Sequence, residues 1–168
     1  MADANAGGVF APPKDFFISY TAVDWGWAEW IGWCLEDEGY IVDFDKWDCR
    51  PGHNFVLFMQ RATSAKRTIV VLSNALLEAS YPQPEWAAAF ANDPEGIGRK
   101  LIPVRIGHCS PEGLLRSVKY VDLVEVDEKE AVRRLLDGVR EGRAKPNTRP
   151  SFPGLQITTR CPTCGRVE

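Results

Sequence analysis

Short apolar runs alternate with amphipathic stretches through most of this chain. Asp15-Phe16-Phe17-Ile18-Ser19-Tyr20 reads as a buried strand. Asp24 is placed to cap a helix that runs to Glu38 and stops at Gly39. In that helix Trp27, Ile31, Cys34 and Leu35 recur at i, i+4, i+7 and i+8, predicting one apolar face. Tyr40–Phe44 predicts a second strand, and a polar loop with Pro51-Gly52 follows. Phe55, Phe58, Met59 and Ala62 have helical spacing. Thr68–Leu72 is β-branched and bounded by Ser73-Asn74, a third strand. Two helical pieces, Ala75–Ala79 and Pro84–Asn92, lead to a fourth strand, Lys100–Ile106, whose Pro103 suggests an edge or a bulge. Lys119–Val124 is the fifth strand, and Val132, Leu135, Leu136 and Val139 mark a last amphipathic helix.

Strands alternating with helices predict an α/β fold with a parallel sheet. Five such units suit a flavodoxin-like, doubly wound sheet of order 2-1-3-4-5, with helices on both faces. In that topology ligands bind beyond the carboxyl ends of the strands, where the order reverses between strands 1 and 3. Here those ends are Ser19-Tyr20-Thr21 and Ser73-Asn74. Residues 1–13, small and nearly uncharged, read as a disordered leader, and 14–141 as the domain. Residues 142–168, with Pro146, Pro150, Pro153, Pro162 and scattered Arg, read as a tail or linker.

Composition narrows the function. The 168 residues carry a net charge of -3, which lacks the basic footprint of a nucleic-acid binder. No apolar run approaches the ~20 residues that span a bilayer, so no membrane partner is expected. The N-terminus has no positive charge ahead of its apolar residues and does not read as a secretory signal. Five Cys, three of them inside periodic segments, suggest a reducing cytoplasm rather than a disulfide framework. Cys161-Pro162-Thr163-Cys164 supplies two of the four ligands a structural zinc needs. A zinc there would require a partner or a longer chain; the other reading is an unstructured tail with two thiols, and no metal is expected in the domain.

The crevice lacks the common signatures. After strand 1 stands Tyr20-Thr21-Ala22-Val23, with no G-x-G-x-x-G. No phosphate-binding P-loop is present, no acidic residue ends strand 3, and Ser73 is not in a G-x-S-x-G elbow. One carboxylate stands out instead. Pro84 suits the first position of a helix, and Glu85 then lies in the first turn, near the positive helix end. On spacing alone it is either a dipole-matched charge, which is the commoner case, or a catalytic group.

Five segments in register resemble Toll/interleukin-1 receptor (TIR) domains, bacterial members in particular. Asp15–Tyr20 followed by Asp24 resembles the family's F-[IV]-S-[YH]-x-x-x-D. Val42–Gly52 is similar to its second strand and BB loop. Thr68–Ser73 resembles its third strand, Gln83–Phe90 the start of its C-helix, and Lys100–Val104 its "I-I-P-V" strand. The resemblance spans about residues 14–140. It implies an NAD+ hydrolase that splits the nicotinamide–ribose bond, acting in immune signalling, with Glu85 as catalytic residue and NAD+ as substrate, not cofactor. Where many members have Trp or Cys shortly before that Glu, this chain has Tyr81-Pro82-Gln83.

The crevice and the implied chemistry together nominate Phe17, Ser19, Tyr20, Trp47, Ser73 and Tyr81 as substrate-binding. The aromatic residues among them could stack on adenine or nicotinamide, or simply pack in the core. The resemblance also implies head-to-tail self-association with other TIR domains, through Asp45, Trp47, Pro51 and Gly52 of the Asp45–His53 loop. The alternative is a non-catalytic TIR interaction module, in which Glu85 is only a helix-end charge. A nucleoside-processing enzyme of another flavodoxin-like family is a third reading. Trp25 and Trp33, turned away from the helix face set by Trp27, are expected on a protein–protein surface.

Overall fold

The computed structural model describes residues 14–62, 64–79, 84–146 and 148–152, without the side chains of 61–62 and 84–86. The expected leader, Tyr81 and the Cys161/Cys164 pair lie outside the described residues. In chain order the elements are β1 (Phe16–Ser19), a 3-10 turn (Ala22–Asp24), α1 (Trp25–Asp37), β2 (Val42–Asp43), α2 (Asp45–Asp48), α3 (Phe55–Ala62), β3 (Arg67–Leu72), α4 (Asn74–Glu78), α5 (Pro84–Asn92), β4 (Leu101–Arg105), a 3-10 helix (Gly113–Ser117), β5 (Val121–Asp122) and α6 (Glu128–Val139). The strands form one sheet in the order β2-β1-β3-β4-β5, every pair parallel. This is the flavodoxin-like order expected from the sequence.

Every residue of β1 and β3 is buried, because these strands sit mid-sheet with helices over both faces. Alternation sends Phe16, Ile18, Ile69, Val71, Ile102 and Val104 to one face, where Ile31, Leu35, Leu135 and Val139 of α1 and α6 complete the main core. Val70 and Leu72 face the other way, onto Leu76, Cys109 and Leu115. At the lower sheet edge two arginines satisfy the carbonyls that end α6. Arg67 donates to Val139 O at 2.5 Å, and Arg99 donates to Gly138 O and Arg140 O.

Helix α1 ends as its sequence predicts. Gly39 has φ +91°. Tyr40 N donates to Leu35 O at 3.1 Å and Gly39 N to Glu36 O at 2.9 Å, the paired bonds of a Schellman stop. Its facing differs from expectation. The buried residues are Ala28, Ile31, Gly32 and Leu35, whereas Trp27 is 38% exposed. On a helical wheel this turns the core face by about 60° from the one read off Trp27, Ile31, Cys34 and Leu35. The reason is size: small residues let the helix approach the sheet, where an indole would hold it off. A Cβ on Gly32 would lie 3.2–3.3 Å from the Trp47 ring and Ile18 Cδ1.

Three further expectations are corrected. Asp24 makes no side-chain capping bond to α1; its carboxylate is turned to the sheet. Pro103 lies on β4, an interior strand. Its missing N–H points to the β5 side, as the outward Arg105 O to Leu123 N bond two residues on shows, and β5 begins only at the Val104↔Val121 pair. Proline is thus tolerated where the ladder has not yet started. The stretch expected to be a polar loop opens with the helical turn α2.

Candidate functional site

β1 and β3 are neighbours, with Ser19 opposite Val70. The chain leaves β1 toward α1 and leaves β3 toward α4, so the strand ends part there and open a crevice. Asp24 spans it. Its Oδ2 accepts from Thr21 Oγ1 at 2.5 Å and from Ser73 Oγ at 2.6 Å. Ser73 Oγ in turn accepts from Leu76 N at 3.2 Å and so caps α4. One carboxylate therefore ties the end of β1 to the end of β3 and to the segment that leads into α5. Asp24→Ala removes the shared acceptor and should lower the stability read from urea midpoints by about 1–2 kcal/mol. Asp24→Asn, whose Oδ1 still accepts, should cost less than half of that. Equal losses for the two variants would mean that the charge, not the bridge, matters.

The opposite rim is the start of the Asp45–His53 stretch. Tyr20 donates its hydroxyl to Asp45 Oδ1 at 2.5 Å, and that oxygen also accepts from Lys46 N at 2.8 Å. Burial, and then this contact, push the Tyr20 hydroxyl above the usual tyrosine range, so it stays a neutral donor through the alkaline range in which an ordinary tyrosine ionises. Asp48 Oδ2 accepts from Phe44 N at 2.9 Å and closes the α2 turn. Trp47 points inward. Its ring meets Phe44 edge-on at 5.0 Å, and its Nε1 donates to Glu29 Oε1 of α1 at 3.3 Å. The tip, Pro51-Gly52, is exposed, with Gly52 at φ +96°.

Of the residues nominated from sequence, Ser19 ends β1, Tyr20 follows it on the Asp45 side, and Ser73 follows β3 on the Asp24 side. Phe17 is buried within β1, on the face opposite Phe16 and Ile18. Trp47, expected as a loop anchor for a neighbouring molecule, is half-buried against α1, Phe44 and the core. Asp45 is tied to Tyr20, and Pro51 and Gly52 remain at the tip. Tyr81 lies outside the described residues. Glu85 is the second residue of α5. α5 packs on β3 and β4 and leads into β4, so its first turn lies at the carboxyl edge of the parallel sheet, the edge that carries the crevice. Thr21 was placed at the crevice from sequence, but its bond to Asp24 and the bridging role of Asp24 were not.

A cleft of about 790 Å³ lies one strand over, between α4 and the 3-10 helix, lined by Asn74, Leu77, Glu78, His108 and Glu112 among others. The Arg105 guanidinium on its wall is committed to Asp122 at 2.6 and 3.1 Å and lies 4.9 Å from the Tyr120 ring centroid. That pair holds the Asp122 carboxyl below the usual range. Among the described residues no group of three His, Cys, Asp or Glu could hold a metal ion.

The family model for the TIR domain matches residues 16–136. The chain belongs to the TIR domain family. Among solved structures, this TIR domain is similar to that of the Toll-related receptor TRR-2 from Hydra magnipapillata. The identity is 23% and the TM-score 0.56, over 76% of this chain and 99% of that one. It is also similar to a metazoan TIR-STING receptor from C. gigas, at 21% identity, with TM-scores of 0.59 alone and 0.62 in complex with 2',3'-cGAMP. Those two matches cover 76% of this chain and 40% of the receptor. A search of curated proteins finds no match. No described helix of the TIR domain is long and apolar enough to cross a membrane.

Proposed function

We propose that this TIR domain is an NAD+ hydrolase of the bacterial type that uses Glu85 and is switched on by self-association. The observation that carries the reading is the place of Glu85, in the first turn of α5 at the carboxyl edge of the sheet. Nicotinamide leaves NAD+ as a neutral base, so its departure needs no general acid. The C1′–N bond breaks with its electron pair going to the nicotinamide ring, and the ribose becomes oxocarbenium-like. A fixed carboxylate beside the ribose stabilises that charge. Water then adds its oxygen at C1′ and releases a proton, giving ADP-ribose; attack by the adenine base gives a cyclic isomer instead. Tyr20, a neutral donor on the rim, and the Asp24-bridged strand ends would frame the substrate.

The test is to incubate the 168-residue chain with NAD+ and identify products by mass spectrometry. Release of nicotinamide with ADP-ribose or its cyclic isomer is expected. Intact NAD+ at high protein concentration would overturn the reading and leave an interaction module, which the exposed Phe55, Val56 and Leu57 of α3 also suit. Because a heterologous contact can complete one site from the next molecule, turnover per molecule should climb at least tenfold over a hundredfold rise in protein concentration. A flat specific activity over that range would refute the switch.

A further inference from the structure

We infer that the outer face of α1 is a docking groove for the Pro/Arg segment 143–152 of a second copy of this chain. The core side of α1 is set by Ala28, Ile31, Gly32 and Leu35. On the wheel, Gly26, Trp30 and Trp33 lie within about 60° of one another on the opposite side. Trp33 is 67% exposed, whereas Trp30 is half-buried. The Trp30 ring meets Trp27 edge-on at 5.8 Å, packs against the main core, and donates from Nε1 to Glu128 Oε1 of α6 at 3.4 Å, so it forms the fixed inner wall of the strip. At Gly26 a Cβ would meet nothing within 4 Å. The strip thus runs from an open glycine notch in the first turn, past the wall of Trp30, to the exposed Trp33, an aromatic-lined shape of the kind that takes extended proline-rich segments.

Charge identifies the occupant. Of the eight carboxylates from Asp15 to Asp45, Asp15 pairs with Lys66, Asp43 is buried, and Asp24, Glu29 and Asp45 accept hydrogen bonds from Ser73, Trp47 and Tyr20, which leaves Glu36, Asp37 and Glu38 on α1. Glu36, Asp37 and Glu38 are exposed at the carboxyl end of α1, where the helix dipole disfavours negative charge. Among the described residues none of the three forms an ion pair, and the last turn holds no basic residue. A cation docked there would relieve the repulsion. Residues 142–152 offer Arg143, Lys145 and Arg149, no carboxylate, and two prolines, Pro146 and Pro150. Their described residues are all exposed. Arginine also stacks favourably on indole faces.

A molecule's own segment is led away from its own α1. Gly142 and Ala144 line a cleft with Asp93, Gly96, Ser117 and Tyr120 beside the β4–β5 side of the sheet, whereas α1 packs on β1, β2 and α6. The contact therefore joins two molecules through different surfaces, a heterologous arrangement that can add further copies rather than stop at a two-fold dimer.

Sedimentation equilibrium of the full chain over a wide concentration range tests this. The average mass should rise with concentration, and more weakly at high salt. Trp33→Ala, and separately the pair Arg143→Asp with Arg149→Asp, should each weaken association at least tenfold. Mixed together, these two chains should form a 1:1 pair and nothing larger, since one retains only the segment and the other only the groove. Gly26→Met fills the notch in open space and replaces a first-turn glycine by a better helix former, so it should keep or raise the melting temperature while abolishing association. A chain that stays monomeric throughout, variants that associate as the wild type does, or a mixture that fails to pair would each overturn the inference. Mass is read without NAD+, so failure here leaves NAD+ cleavage at Glu85 standing, and intact NAD+ leaves this contact standing. A chain that stays monomeric throughout would remove both this contact and the self-association switch, whereas variants that associate as the wild type does would remove this contact alone.

Discussion

Glu85→Gln is expected to lower NAD+ turnover by at least a hundredfold while changing KM little. Glutamine keeps the size of the side chain and removes only the charge. The charge matters where the ribose becomes cationic, which happens in the transition state and not in bound NAD+, so the loss should appear in kcat. Removing one preorganised electrostatic contact of this kind typically costs about a hundred- to a thousandfold. The fold should tolerate the change, since a first-turn carboxylate contributes only about 0.3–1 kcal/mol through the helix dipole. Nicotinamide release, followed at matched protein concentration with a melting curve alongside, separates the two effects. A variant that cleaves NAD+ at near-wild-type rate would move the chemistry to another residue. One that loses activity only because it melts would leave the assignment unsupported.

The sheet was legible because its central strands are written as apolar runs. β1 and β3 are buried on both faces, so Phe16–Ser19 and Thr68–Leu72 carry almost no polar interruption. The outer strands were read too long, since β2 and β5 each keep only two ladder residues. α2 is four residues long and mostly charged, too short to show a period. Only Asp48, reaching back to Phe44 N, hints at a turn there. Ser19, Tyr20 and Ser73 could be placed from sequence because they stand at or just after the ends of two strands that the topology makes neighbours. The bridge from Asp24 to Ser73 could not be read so. The two residues are 49 positions apart, and only the β1–β3 pairing sets them side by side. Trp47 is a similar case. Its inward packing depends on the absence of a side chain at Gly32, on another element. For Glu85, chain position gave the location, and the resemblance to the family supplied the chemistry.

The facing of α1 leads to the largest expected loss of stability, at Phe16 and not at Trp27. Phe16 is fully buried, with the Tyr40 ring edge-on at 5.1 Å and the Arg67 guanidinium 4.4 Å from its ring centroid. Phe16→Ala opens a cavity under β1 and leaves a buried cation facing it. A cost of about 3–5 kcal/mol is expected. In a domain of this size that corresponds to a melting temperature lower by roughly 10 °C. Trp27, more than a third exposed, loses mainly its edge contact with Trp30 on truncation. Alanine is also the better helix former. Trp27→Ala should therefore cost about 1 kcal/mol or less, despite removing the larger side chain. Urea midpoints of the two variants decide the matter. If Trp27→Ala proves as damaging as Phe16→Ala, the helix sits in solution with its indole face toward the sheet. The core described around Ala28 and Gly32 is then wrong, and the outward groove at Gly26 goes with it.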